Sequence, residues 1–279
     1  MLGHQVVNYF LKHSDFYVLD IAFRSRLRKK TIVLDVTDKS LLIKTITELR
    51  PDFIVNCIGV LIHGSKNIVN AIYLNAYLPH QLKEISKNIN AKLIHISTDC
   101  VFSGDKGNYI ETDVRDGKGI YSQTKILGEI VDDSNVTLRT SIIGPELKEN
   151  GEGLFHWFMK QESGISGFNE AVWSGVTTIE LAKAIKWSID YNISGIYHVT
   201  NNSSISKYEL LKLFKIHVKK NINIKKVSGN KVDKSLIDTL SIINYKIPSY
   251  NQMIHDMVEM IANNNSLYNQ YKVGNIEKK

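Results

Sequence analysis

The sequence predicts an α/β fold built on a doubly wound parallel sheet, and two observations predict it. Short, nearly continuous apolar runs recur at 53–59, 92–97 and 136–140, without the alternation of a half-exposed strand. Strands covered on both faces read this way. Segments of helical period stand between them, as the crossovers between parallel strands require.

The elements follow in order. Residues 1–11 put Leu2, Val6, Val7, Phe10 and Leu11 on one stripe, which predicts an amphipathic helix. Residues 16–22 and 31–34 are short apolar runs expected as strands, the second ending at Asp35. Residues 41–49 have helical period and stop before Pro51, because the residue preceding a proline resists helix. A strand at 53–59 runs into Gly59, a long helical pattern covers 68–89, and a further strand fills 92–97. A loop rich in Gly and Asp, 99–119, leads to a helix over 121–131, and 136–140 is the next strand. Residues 151–167 are less regular and hold Phe155, His156, Trp157 and Phe158. A helix over 177–189 has Thr177 or Thr178 as its N-cap and Glu180 in its first turn. A strand at 195–199 precedes a helix over 206–214, which opens on a Ser206–Glu209 capping box. A strand at 222–227 and a helix over 251–262 complete the pattern, and the polar tail after Asn263 is expected to fray.

Composition narrows the function classes. The chain has 279 residues, a formal net charge of +7 and 43% hydrophobic residues, enough for a sizeable core. The positive charge is scattered lysine, without the interleaved aromatic and arginine stripe of a nucleic-acid surface. No apolar run reaches the length of a membrane span, and no secretory signal opens the chain. Cys57 and Cys100 sit in apolar runs with no Cys-x-x-Cys and no metal spacing. They read as reduced thiols of a cytoplasmic protein that binds no metal.

A parallel sheet binds ligands at the carboxyl ends of its strands. Asp35, Asn56, Gly59, Ser97, Thr98, Asp99, Arg139, Thr140 and Ser141 fall there. Tyr121 and Lys125, four apart, share one helix face. The ammonium is expected to lower the phenol from its usual value of about 10, so that it exchanges a proton near neutrality. A surface tyrosine beside a surface lysine is the plainer alternative. With Thr98, the pair makes a proton-donating and oxyanion-stabilising set for a carbonyl.

The segment Ser97-Thr98-Asp99-Cys100-Val101-Phe102-Ser103-Gly104, followed by Tyr121-x-x-x-Lys125, resembles the extended short-chain dehydrogenases/reductases, within them the dTDP-4-dehydrorhamnose reductase branch. Asn56-Cys57-Ile58-Gly59, Leu74-Asn75-Ala76-Tyr77-Leu78-Pro79, Leu127-Gly128-Glu129, Leu138-Arg139-Thr140-Ser141-Ile142-Ile143-Gly144 and the run 175–182 match the same branch in the same order. The resemblance implies a Rossmann fold with a small C-terminal α/β substrate lobe. Residues 1–145, with 175–200 returning to them, would bind NADP, and 146–174 with 201–279 would bind substrate.

The resemblance also implies the roles. Tyr121 would protonate the substrate carbonyl oxygen, Lys125 would hold the nicotinamide ribose, and Thr98 would hydrogen-bond the same carbonyl. Gly3, Asp35, Val36, Asn56, Cys57, Ile58, Gly59, Asn75, Thr140, Ser141 and Ile142 would line the cofactor. Asp35 as a helix N-cap and Asn56 as a satisfied strand-end amide are rival readings. Arg24 would contact the 2′-phosphate of NADPH; as solvated loop charge it would leave NADH open. Asp99 would meet the sugar; in the second lobe Phe155, His156, Trp157, Phe158 and Trp173 could wall a sugar or stack a base, but each reads at least equally as core, and His156 as a packing or surface histidine.

The implied reaction is NAD(P)H-dependent reduction of the 4-keto group of a nucleotide-activated deoxysugar, for surface-polysaccharide synthesis. Asp99 is followed by Cys100 where the related dehydratases carry an Asp-Glu pair, and epimerases read Ser-Ser-x-x-Val-Tyr at this place. An epimerase, a bifunctional epimerase-reductase, and a binding subunit like the regulatory subunit of methionine adenosyltransferase are the alternatives. A nucleotide sugar is the implied partner, with a homodimer open. Family members begin with a strand and a Gly-x-x-Gly-x-x-Gly turn that holds the pyrophosphate, of which Gly3 matches only the last glycine. The resemblance thus leads us to expect that the working protein carries roughly ten further residues ahead of Met1, a strand and its turn.

Overall fold

The computed structural model describes residues 1–229, 231–240 and 245–273. The chain begins with α1 (Leu2–His13), β1 (Ile21–Ala22), β2 (Ile32–Val33), α2 (Lys39–Leu49) and β3 (Phe53–Asn56). Next comes α3 (Ile68–Ala71), which runs through a π-helical segment, Ile72–Tyr77, into α4 (Leu78–Ile89). β4 (Lys92–Thr98), α5 (Gly119–Leu127), β5 (Val136–Thr140) and β6 (Ile142–Ile143) follow. Then come α6 (Leu154–Lys160), β7 (Ile165–Phe168), β8 (Ala171–Trp173), β9 (Val176–Thr177), α7 (Thr178–Asp190) and β10 (Gly195–His198). β11 (Ile205–Ser206), α8 (Lys207–His217), β12 (Ile224–Val227), β13 (Val232–Asp233) and α9 (Tyr250–Ala262) complete the order.

The central sheet is parallel, in the order β10-β5-β4-β3, while β1 and β2 form a parallel pair of their own. Leu93 and Ile94, neighbours on β4, are both fully buried but in different cores. Leu93 packs with Leu42, Ile46, Leu78 and Leu82 from α2 and α4. Ile94 belongs with Val6, Phe10, Leu181 and Ile185 from α1 and α7. Helices therefore cover both faces, which is why the strand sequences do not alternate. Each such side chain contributes about 1.5–3 kcal/mol on full burial.

Strand register aligns the site. Asn56 pairs with His95 across β3 and β4, and Thr98 pairs with Thr140 across β4 and β5. The polar strand ends therefore share one edge.

Several expected elements differ. The strand expected over 16–22 shrinks to Ile21–Ala22, because Phe16 packs on Phe10 and Phe53, with ring centroids 5.8 and 6.1 Å away. The single helix expected over 68–89 contains the π-helical turn, an irregularity common at functional sites. It holds Asn75, fully buried. The irregular stretch at 151–167 contains α6, whose Phe155 and Phe158 are fully buried. The fraying expected after Asn263 does not occur over 264–273. Tyr268 and Tyr271 are buried there, Tyr268 against His4 of α1 (2.9 Å) and Tyr271 against His156 of α6 (2.6 Å). Residues 274–279 lie outside the described residues.

Gly128, just past α5, allows a close backbone approach near the site. A Cβ there would lie 1.9 Å from the carbonyl oxygen of Asn75. Gly128→Ala must push α5 off the π-helical turn. We expect a loss of about 1–3 kcal/mol, read as a lower urea midpoint at unchanged slope.

Candidate active site

α5 carries Tyr121 and Lys125 to the carboxyl edge of the sheet. Its start is tied down by Gln123, whose amide donates to the Gly117 carbonyl at 2.6 Å. Its inner face is tied by Thr124, whose hydroxyl donates to Ile120 and lies 3.3 Å from the Asn75 amide. Thr98 ends β4 directly beneath. Its hydroxyl donates to the Asp99 carboxylate at 3.0 Å and accepts from the Cys100 backbone N–H at 3.2 Å. The Thr98 hydroxyl also acts on the Tyr121 phenol, lowering it against its burial. Thr98, Asp99 and Tyr121 thus form one contiguous polar cluster.

The electrostatics differ from the expected pairing. Burial raises the Tyr121 phenol, the neighbouring Cys100 and Asp99 raise it further, and only Thr98 opposes them. Burial lowers the Lys125 ammonium to about 8, against the pull of Glu129. The ammonium donates to the Ile96 carbonyl at 2.8 Å. The expectation that Lys125 depresses the phenol is therefore corrected, because desolvation drives both groups towards their neutral forms. A phenol held protonated is the form that can give a proton to a carbonyl oxygen.

Glu129 and Arg139 lie under this cluster. Arg139 forks onto Glu129 with contacts of 2.7 and 2.8 Å, and Ser97 donates to the same carboxylate at 2.6 Å. Arg115 adds a contact of 3.1 Å from the rim. The motifs contain both residues, but their pairing is not legible there, because nothing in a single sequence joins positions on a helix end and a strand.

The cofactor candidates divide by environment. Asn75 holds the loop after β3, accepting from the Val60 N–H at 2.9 Å and donating to its carbonyl at 3.1 Å. A Cβ on Gly59 would meet the Asn75 oxygen at 3.1 Å, so the loop lies flat against the π-helical turn. Asn56 is a tied strand-end amide, bound to His95 and to the Ile58 N–H. Gly3 brings the first turn of α1 against Cys57, at 3.7 Å from an added Cβ. Burial pushes the Cys57 thiol up to about 12, and Ile58 packs on the α2–α4 core. Asp35 is exposed and accepts from Thr37, while the N-cap of α2 is Asp38, so the N-cap alternative for Asp35 is corrected. The Val36 carbonyl accepts from Tyr73. Arg24 is exposed over the Phe23 ring, whereas Arg28 pairs with Asp20 at 2.6 Å. Thr140 gives its hydroxyl proton to Val199, Ser141 is half-buried beside it, and Ile142 lies in the β6–β9 pair.

The donor set suits a dinucleotide. Lys125 and Tyr121 offer hydrogen bonds for ribose hydroxyls, the loop from Asn56 to Gly59 offers a flat backbone edge, and Asp35 offers an open carboxylate just past β2.

The substrate candidates fare unevenly. Asp99 belongs to the polar cluster. Trp157 is 40% exposed on α6. Trp173 is only 3% exposed and packs on Tyr250, so it is core and not an open wall. His156 is a packing histidine, bound to Tyr271 and the Glu149 carbonyl.

Among known proteins, the family described as "RmlD substrate binding domain" matches residues 1–234. The chain is 24% identical over 227 residues to methionine adenosyltransferase 2 subunit beta of Xenopus laevis, covering 75% of this chain and 67% of that one. It is 25% identical over 195 residues to dTDP-4-keto-6-deoxy-D-glucose reductase of Streptomyces niveus, covering 64% and 65%. The chain thus spans about two thirds of the length of these relatives. The crystal structure of dTDP-4-dehydrorhamnose reductase from Bacillus anthracis in complex with NADP superposes with a TM-score of 0.73 at 24% identity, covering 81% of this chain and 87% of that one.

Proposed function

Because the chain belongs to the RmlD substrate binding domain family, we propose that it is an oxidoreductase that reduces the 4-keto group of a nucleotide-activated deoxysugar with NADPH. The observation that carries the reading is the cluster of Thr98 and Tyr121 one helical turn from Lys125, at the carboxyl edge of a parallel sheet. A binder has no need of a protonated phenol there.

Tyr121 holds a proton at its phenol oxygen and delivers it to the carbonyl oxygen as that oxygen gains charge. Thr98 orients the same oxygen, and Lys125 donates to the cofactor ribose and supplies positive charge one turn away. Bound nicotinamide supplies the hydride. One hydride and one proton turn the ketone into a hydroxyl. NADPH is preferred because Arg24 is exposed just past β1, the strand that pairs with β2 ahead of Asp35, with NADH as the alternative. The same reading assigns 1–145 and 175–200 to the cofactor, 146–174 and 201–279 to the sugar, and the protein to the cytoplasm.

The test is NADPH consumption on adding dTDP-4-keto-6-deoxyglucose. We expect one NADPH oxidised per keto sugar consumed. Binding of NADPH without consumption, across a panel of such sugars, would favour the second reading. In that reading the chain is a binding subunit, as the name of its Xenopus laevis relative describes for that protein.

A further inference from the structure

Lys207 opens α8, where helix period and a capping box suggest only a solvated first turn. β11 runs antiparallel to β8, with Ile205 opposite Trp173 and Ser206 opposite Val172. Ser206 caps α8 by accepting from the Glu209 N–H at 3.2 Å, which fixes the helix start and the position of Lys207. The Lys207 ammonium lies 5.5 Å from the centroid of the Trp173 ring. Tyr250 packs on the same indole, with centroids 5.6 Å apart. Lys207 and Tyr250 therefore both cover the buried indole.

The Lys207 ammonium is within electrostatic reach of the Thr98 cluster. The groups whose charge acts on Lys207 are Asp99 and Cys100, and the same two act on Tyr121. Tyr121 of α5 and Lys207 of α8 thus both feel the charge of one two-residue segment. Burial lowers the Lys207 ammonium, with Asp99 and Cys100 opposing. Among the described residues no carboxylate or carbonyl lies within hydrogen-bond distance of it. An ammonium has three donors and, when desolvated, costs free energy until they are used.

We infer that Lys207 is a specificity-determining residue that donates hydrogen bonds to ring hydroxyls of the sugar whose keto carbon faces Tyr121. The inference rests on the reductase reading, and binding measurements separate the two. Titration calorimetry of the full chain with dTDP-rhamnose and with dTDP alone is the experiment, on wild type, Lys207→Met and Lys207→Arg. Lys207→Met is expected to weaken dTDP-rhamnose about ten- to hundredfold, leaving dTDP unchanged, since a charged hydrogen bond to the sugar is lost. Lys207→Arg, which keeps the cation, is expected to recover part of the loss. Equal dTDP-rhamnose affinity in Lys207→Met and wild type would overturn the inference and leave the reductase reading standing. Parallel loss of dTDP would also overturn it, assigning Lys207 to the diphosphate or to the fold. A wild-type chain that binds neither ligand would overturn both.

Discussion

Tyr121→Phe is expected to reduce turnover of a 4-keto nucleotide sugar by about 10²–10⁴-fold, the usual contribution of a positioned general acid. The ring would stay, so the α5 packing would stay, and only the hydroxyl on which Thr98 acts would be lost. NADPH affinity should change little, because the other proposed cofactor contacts remain. The raised phenol also predicts the shape of the pH profile. Tyr121 keeps its proton through neutrality and above its ordinary value of 10, so its own ionisation should not limit the rate near neutral pH. Steady-state kinetics with a fluorescence titration of NADPH measures both quantities. Turnover within a few-fold of wild type would remove Tyr121 from the mechanism.

Glu129→Gln is expected to cost about 3–5 kcal/mol of stability, because it strands Arg139 as a buried, uncompensated cation. Both side chains are almost wholly buried, at 0% and 2% exposure, and they meet in a bidentate fork. Arg115, at 36% exposure, is the rim partner, and its removal should cost no more than about 1 kcal/mol. Burial alone would raise the Glu129 carboxyl. The hydrogen bonds and charge of Arg139, with bonds from Ser97 and Arg115, outweigh that and hold it below its usual 4.5. The folded value is the depressed one, so the unfolded chain binds the proton more readily. The contribution of Glu129 is therefore fully present above about pH 4.5 and is lost as pH falls through the lower folded value. Glu129→Gln should be less stable at neutral pH and should lose less on acidification. Urea midpoints across that range test both; a midpoint near wild type at pH 7 would show the pair to be dispensable.

The two predictions are linked. Ser97 precedes Thr98 and donates to Glu129, and the charge of Glu129 raises the Lys125 ammonium against its burial. The ion pair thus supports the end of β4 and the lysine together.

Much of this was legible in the sequence, for physical reasons. β4 and β5 are continuous apolar runs because both faces are covered, and such runs need no partner to be recognised. Tyr121 and Lys125 lie on one helix, so their spacing alone predicts a shared face. Their electrostatics were not legible, since burial, which spacing does not report, decides the direction of both shifts. Tyr268 and Tyr271 sit in a polar stretch whose composition suggests fraying, yet partners more than a hundred residues earlier bury them. Trp173 looked like a wall because a lone tryptophan reads the same exposed or buried. Lys207 is not legible as a site residue because Asp99 and Cys100, whose charge acts on it, are distant in sequence.

The central claim is that Thr98, Tyr121 and Lys125 orient and protonate a carbonyl that bound nicotinamide reduces. The most direct measurement follows the hydrogen itself: deuterium at the reactive nicotinamide carbon of NADPH, with dTDP-4-keto-6-deoxyglucose as acceptor and mass spectrometry of the sugar. The account predicts one deuterium on the carbon that gains the hydroxyl, with transfer greatly reduced in Tyr121→Phe. Unlabelled, unreduced sugar recovered from protein that binds both ligands would contradict it.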